Sequence, residues 1–170
     1  MKPALLVIDM QETFFDEGPQ VARSLTEAVV YINAAIALFR AKHLPVIIIE
    51  DISQEEGRLP GTDGFQTTTR INLEQDDLRI PKTYGNAFNK TELHQELQAR
   101  GVDTLILTGF AASQCVTSTY RGALDLDYDA FIFRGSLADA SPERVKFVEE
   151  IHDLLSYKVL VKLLALAKVP

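Results

Sequence analysis

Apolar residues along this chain follow two rhythms. The first is the short unbroken run that stops at a polar residue: Ala4 to Ile8 reads A-L-L-V-I and ends at Asp9. Such runs read as strands buried on both faces, the habit of parallel sheets. Leu44–Ile49, Thr104–Leu107, Ala130–Phe133 and Tyr157–Val161 share the pattern, and Leu78–Ile80 is a shorter version. The second rhythm is helical. Over Gln20–Lys42, residues Val21, Leu25, Ala28, Val29, Ile32, Ala35, Ile36 and Phe39 repeat at i, i+3, i+4 and i+7. Thr91 is placed to cap a helix over Glu92–Arg100 that Gly101 stops. Further helices are predicted over Val116–Leu126 and over Pro142–Leu155, the latter with Ser141 as its cap and Pro142 in its first turn. Strands alternating with helices predict an α/β fold: a parallel sheet with right-handed crossovers. Glu50–Asp77 has no period and carries Gly57, Pro60, Gly61 and Gly64; a loop this long within a compact domain is expected to be functional. Leu163–Val169 reads as a final helix packed on the sheet, with a subunit contact as the sharper alternative.

Composition narrows the class. A chain of 170 residues is the length of one domain, taken here as 1–170, and 46% AVILMFWYC with 24% charged residues is ordinary globular usage. Seventeen Lys and Arg against 24 Asp and Glu leave a net charge of −7, which argues against nucleic acid or an anionic membrane as partner. The one cysteine, Cys115, rules out a disulfide within the chain and a Cys-rich zinc site. No signal peptide is evident, and no unbroken apolar run approaches the ~20 residues of a membrane span. The expectation is a cytoplasmic protein whose partner is a small molecule.

Open parallel sheets bind ligands beyond the carboxyl ends of their strands. Three reactive side chains follow predicted strands. Asp9 ends the first; it reads either as a turn carboxylate or as a buried general base. Lys82 follows Leu78-Arg79-Ile80-Pro81 among small and apolar neighbours; it is either a solvated charge or a cleft ammonium that lowers a thiol's pKa. Cys115 follows the loop after Thr104–Leu107, near a helix start, where the dipole and free N–H groups would give it thiolate character; the plain alternative is a buried structural cysteine. The three histidines, His43, His94 and His152, fall in or at the ends of predicted helices, so a Cys–His dyad is not supported.

These residues lie in three stretches that together resemble the isochorismatase-like cysteine hydrolases, a family that includes nicotinamidases, N-carbamoylsarcosine amidases and ureidoacrylate-type amidohydrolases. Asp9-Met10-Gln11 with Phe14 and Phe15 is similar to the family's D-x-Q opening. Lys82 with Ala87-Phe88, Thr91 and Leu93 is similar to its lysine segment, and Gly109-Phe110-Ala111 through Cys115-Val116, Thr119 and Ala123 to its nucleophile loop. The resemblance implies a three-layer α/β/α sandwich with a six-stranded parallel sheet, and a triad of Asp9, Lys82 and Cys115. It also implies a cis peptide at Phe110–Ala111 and an oxyanion hole from the N–H groups of Ala111 and Cys115.

The implied reaction is hydrolysis of a small amide, carbamoyl or ureido compound through a thioester on an activated Cys115, with no cofactor. The alternatives are isochorismatase-type vinyl-ether hydrolysis and a non-catalytic ligand-binding homologue. Family members commonly pair, so a homo-oligomer, dimer or tetramer, is expected. Gln11, Phe15, Tyr84, Asn86, Phe110 and Ser113 are the candidate substrate contacts. Three departures stand out. The D-x-H cluster that holds a metal in nicotinamidases reads Glu50-Asp51-Ile52-Ser53 here, so no catalytic metal is expected. A polar pair after the loop alanine is Ala112-Ser113, and an Asp-Ala after the fifth strand reads Gly135-Ser136-Leu137.

Overall fold

The computed structural model describes residues 1–167. Six strands form one parallel sheet: β1 (Pro3–Ile8), β2 (Val46–Asp51), β3 (Leu78–Lys82), β4 (Thr104–Gly109), β5 (Asp129–Leu137) and β6 (Leu154–Leu155). Their order across the sheet is β3-β2-β1-β4-β5-β6. The helices are α1 (Pro19–Arg40), α2 (Leu93–Ala99), α3 (Thr117–Asp125), α4 (Pro142–Ile151) and α5 (Tyr157–Ala165).

Strand alternation divides the core in two. From β1, Leu5 and Val7 pack with the apolar stripe of α1 and with Leu160 and Leu164 of α5. Ala4, Leu6 and Ile8 face the other way, onto Leu93 and Leu97 of α2, Tyr120 and Ala123 of α3, and Val148 of α4. Because both faces are covered, every residue of β1 and β4 is buried, as the unbroken apolar runs require. By length and composition α1 is apolar enough to cross a bilayer, although polar residues interrupt it and it is no unbroken run. Eight of its residues, Val21 to Phe39, instead form the buried stripe against the sheet.

The carboxyl end of the chain differs from expectation. Tyr157–Val161 is the first half of α5, not a strand. Ser156 caps it by accepting a hydrogen bond from the Val159 N–H at 3.4 Å, and Leu160 and Leu164 place one apolar face inward at i, i+4. A short apolar run is ambiguous in period, and the serine cap decides it. The sixth strand is the two-residue Leu154–Leu155, so the predicted Pro142–Leu155 helix ends at Ile151. The expected final helix over Leu163–Val169 coincides with α5 only in part; Lys168 and Val169 lie outside the described residues. Ser141 does cap α4, accepting from the Arg144 N–H.

The order of strands reverses between β1 and β4, and a crevice opens there at the carboxyl ends. Gly109 makes this junction possible. Its φ is +114°, and a Cβ on it would lie 2.0 Å from the Ile8 carbonyl oxygen. Gly109→Ala is therefore expected to destabilise the fold by more than ~3 kcal/mol, combining backbone strain with a clash against main chain. Urea denaturation measures it; a midpoint equal to the parent's would contradict this packing.

Candidate active site

Four strand ends supply the polar groups of the crevice. Asp9 follows β1 with φ +51°, an uncommon value for a side chain other than glycine, asparagine or aspartate. Its N–H is held by the Ile49 carbonyl of β2 at 3.0 Å. Asp51 and Lys82 end β2 and β3 and are direct neighbours in register. Cys115 follows β4 on a π-helical turn, Ala112–Val116, that leads into α3. The Phe110–Ala111 bond is cis. The Ala111 carbonyl accepts from the N–H groups of Gln114 (3.0 Å) and Val116 (3.2 Å), while its own N–H has no hydrogen-bond partner among the described residues.

Lys82 joins these groups. Its side chain is fully buried, and Nζ lies 2.8 Å from Asp9 Oδ2, 3.0 Å from Asp51 Oδ1 and 3.4 Å from Cys115 Sγ. Asp9, Asp51, Ala111 and Cys115 face a cleft of about 610 Å³, with Phe14, Phe110 and Arg58 among its walls. Asp9 Oδ1 is buried and has no hydrogen-bond partner among the described residues. The Cys115 thiol is close enough to bear on the titration of Asp9, so a proton-accepting carboxylate sits beside it.

Charge balance fixes the resting protonation. Burial raises the Asp9 carboxyl, and Lys82 opposes it; the result is about 6 against an ordinary 3.8. Burial works against the Lys82 ammonium, but Asp9, Cys115 and Asp51 outweigh it and hold its pKa well above the usual value. The thiol contradicts the expectation of thiolate character at Cys115. Burial, and then the Asp9 carboxylate, push it up to about 12, and Lys82 only partly offsets them. Cys115 does lie near a helix start, in the first turn rather than at the first residue. It is the fourth residue of a helical segment that begins at Ala112. The resting site therefore pairs a neutral thiol with a base poised near neutrality.

The six candidate substrate contacts separate clearly. Phe110 lines the cleft. Gln11 is completely buried: its Nε2 donates to the carbonyls of Asp51 (3.0 Å) and Phe65 (2.8 Å), and its Oε1 accepts from the Asp51 N–H at 2.8 Å. It fixes Asp51 rather than facing the crevice. Ser113 is turned to Asp139, donating from N–H (2.8 Å) and Oγ (2.7 Å) to Oδ2. Asn86 Oδ1 accepts from the Phe88 N–H at 2.9 Å, and its amide packs on Gly122, where a Cβ would meet it at 2.4 Å. Tyr84 is exposed and bonded to Lys90, and Phe15 lies under the Arg70 guanidinium. Neither of these two lines the cleft.

Three residues of the site had no role assigned from sequence. Asp51 is one of two acids that end β2, and only the β2–β3 register shows it beside Lys82. Arg58 comes from the aperiodic loop, which thereby contributes a wall of the cleft; its Nη2 lies 2.7 Å from Asp51 Oδ2. Asp139 is buried and accepts from Ser113 and from the Ala140 N–H at 2.7 Å. It also corrects the third departure. β5 runs on through Gly135, where φ is +82°, to Leu137, so the Asp-Ala pair after the strand is present as Asp139-Ala140.

At the switch point of this α/β/α sandwich one ammonium touches both an acid and a thiol. A family model for the isochorismatase domain matches residues 3–150, and the chain belongs to that family of hydrolases. A probable inactive nicotinamidase of Arabidopsis thaliana is 31% identical over 161 residues, covering 82% of each chain. A ureidoacrylate amidohydrolase of Pseudomonas savastanoi is 25% identical over 182 residues, covering 84% of this chain and 74% of that one. The crystal structure of N-carbamoylsarcosine amidase from Thermoplasma acidophilum superposes with a TM-score of 0.78 at 26% identity, covering 92% of this chain and 95% of that one.

The raised Asp9 pKa has a sign for stability. Between 3.8 and about 6 the folded protein binds a proton that the unfolded chain has released. The contribution of Asp9 thus favours the fold at low pH and is lost as the pH rises through about 6. Asp9→Asn is expected to remove that slope, leaving the stability of the variant flatter than the parent's across this window in urea titrations at several pH values. Parallel curves would contradict the assignment.

Proposed function

We propose that this protein hydrolyses a small amide, carbamoyl or ureido compound through a thioester on Cys115, without a metal. The observation that carries the reading is the buried Lys82 ammonium, in contact with both Asp9 (2.8 Å) and Cys115 (3.4 Å), which line an open cleft. The amidohydrolase and the amidase among the similar proteins lend support.

Asp9, as carboxylate, takes the thiol proton while Sγ attacks the carbonyl carbon. The thiolate never accumulates, because its formation is coupled to attack. Lys82 stays cationic throughout and offsets the negative charge that moves from Asp9 to sulfur to the carbonyl oxygen. That oxygen is received by the N–H groups of Ala111 and Cys115. The tetrahedral adduct collapses, the C–N bond breaks, and Asp9 returns the proton to the leaving nitrogen. A water molecule, deprotonated by Asp9, then attacks the thioester; the acid product leaves and the thiol is regenerated. The metal-free reading is supported by how the acids at the end of β2 are used. Glu50 Oε1 accepts from Thr67 and Arg79, each at 2.7 Å, and Asp51 bonds Lys82 and Arg58.

A second reading has one observation in its favour. With a pKa of about 6, Asp9 is a competent general acid, and vinyl-ether hydrolysis needs such an acid and no thiol. The two are separated by Cys115→Ala. For the thioester route, amide turnover falls by about a thousandfold or more with the fold intact, and mass spectrometry of the parent protein traps an acyl adduct on Cys115. The acid limb of kcat/KM falls near pH 6, where Asp9 loses its proton. Retained turnover in Cys115→Ala would reject the thioester route.

A further inference from the structure

We propose that Asp51 is a positioning residue of this site: it divides the Lys82 ammonium with Asp9, and Arg58 governs the division. The inference rests on the reading of Asp9 as the base and goes beyond it. It gives a role to two residues that take no part in the proton transfer itself.

An ammonium has three N–H donors. Lys82 has three partners for them: Asp9 Oδ2 at 2.8 Å, Asp51 Oδ1 at 3.0 Å and Cys115 Sγ at 3.4 Å. Held by Asp9 alone, it would form an undivided buried pair, and a cation so close depresses the proton affinity of a carboxylate. Such a carboxylate is a poor base toward a thiol. Asp51 prevents this by taking one of the three donors. It is itself fixed through its main chain: its N–H donates to Gln11 Oε1 at 2.8 Å, its carbonyl accepts from Gln11 Nε2 at 3.0 Å, and strand register sets it beside Lys82. Asp51 is among the influences that raise the Asp9 carboxyl.

Arg58 acts one step further out. Its Nη2 donates to Asp51 Oδ2 at 2.7 Å, so the two oxygens of Asp51 serve different cations. The guanidinium lies over the Phe14 ring, and the Arg58 backbone pairs with Ser53 in a hairpin. With Asp9 ionised and the thiol neutral, Asp9 and Asp51 balance Lys82 and Arg58. Passing the proton from sulfur to Asp9 leaves that sum unchanged. Without Arg58 the cluster would hold an excess negative charge, and burial would drive a proton onto Asp9. Asp51 therefore pulls the proton affinity of Asp9 up, and Arg58 pulls it down. The remaining charged groups of the cleft are Glu17, Glu56, Asp139 and Arg144. Glu56, 62% exposed, meets Arg58 Nη1, and Asp139 is turned to Ser113 and Arg144. Glu50, next to Asp51 in β2, is bonded instead to Thr67 and Arg79.

Carbon-13 NMR of the Asp9 carboxyl reads the effect, with the signal assigned by its loss in Asp9→Asn. Asp51→Asn is expected to lower the titration midpoint by about one pH unit, and Arg58→Gln to raise it by about half a unit. Arg58→Lys, which keeps the charge, should return it toward the parent's. A purely structural role would admit water to the site in both variants and move both midpoints down, toward 3.8. If Arg58→Gln fails to fold, Glu56→Gln decides. It removes an exposed negative charge from Arg58, frees the guanidinium for Asp51, and should lower the midpoint by an amount that added salt reduces. An unlowered midpoint in Asp51→Asn, a downward or absent shift in Arg58→Gln, or, where that variant does not fold, an unmoved midpoint in Glu56→Gln overturns the proposal. Failure of the thioester reading is distinguishable. It leaves the opposed shifts in place but gives no acyl adduct on the parent's Cys115.

Discussion

One buried ammonium organises this end of the sheet. Lys82 has no exposed surface to hydrate its charge, and it is stable there only because two carboxylates and a sulfur lie within 2.8 to 3.4 Å. Each partner comes from a different strand or loop, so the ion cluster is also a device of register. Gln11 locks Asp51 from behind, Gly109 lets β4 close on β1, and Asp139 anchors the turn that carries the thiol by two hydrogen bonds to Ser113. Residues that sequence spacing places near the chemistry are thus of two kinds, those in the cleft and those that hold the cleft in shape.

The cluster's electrostatics set the kind of chemistry available. A cysteine nucleophile is often imagined as a standing thiolate beside a cation. Here the same burial that raises the Lys82–Asp9 interaction also disfavours a lone negative charge on sulfur, and Asp9 adds to the penalty. What remains is a proton shared along a short path, with a carboxylate near pKa 6 as its temporary holder. Such a group serves as base in one half of an acyl transfer and as acid in the other. Its dual competence is also why vinyl-ether chemistry is the natural rival.

Much of this was legible in the residues. The unbroken apolar runs gave β1 and β4 because strands covered on both faces have no polar side to reveal them otherwise, and the acid, lysine and cysteine after strands were visible from position alone. The sequence was silent where tertiary register decides. Asp51 meets Lys82 only because β2 pairs with β3, and Asp139 follows a strand prolonged through a glycine that local pattern treats as a stop. Tyr157–Val161 failed for the opposite reason: its apolar residues fit both periods, and a serine one position earlier selected the helix. Gln11 and Ser113 were polar residues near the chemistry whose hydrogen bonds point away from it, and no spacing rule separates inward from outward side chains on an irregular loop.

The central claim is that Asp9 shares its proton-binding role with a buried ammonium and thiol. Carbon-13 NMR of the Asp9 carboxyl, followed across pH, tests it most directly. The account predicts a titration midpoint near 6. A midpoint at or below the ordinary 3.8 would mean a carboxylate that neither burial nor its neighbours equip to take a proton from sulfur, and would contradict it.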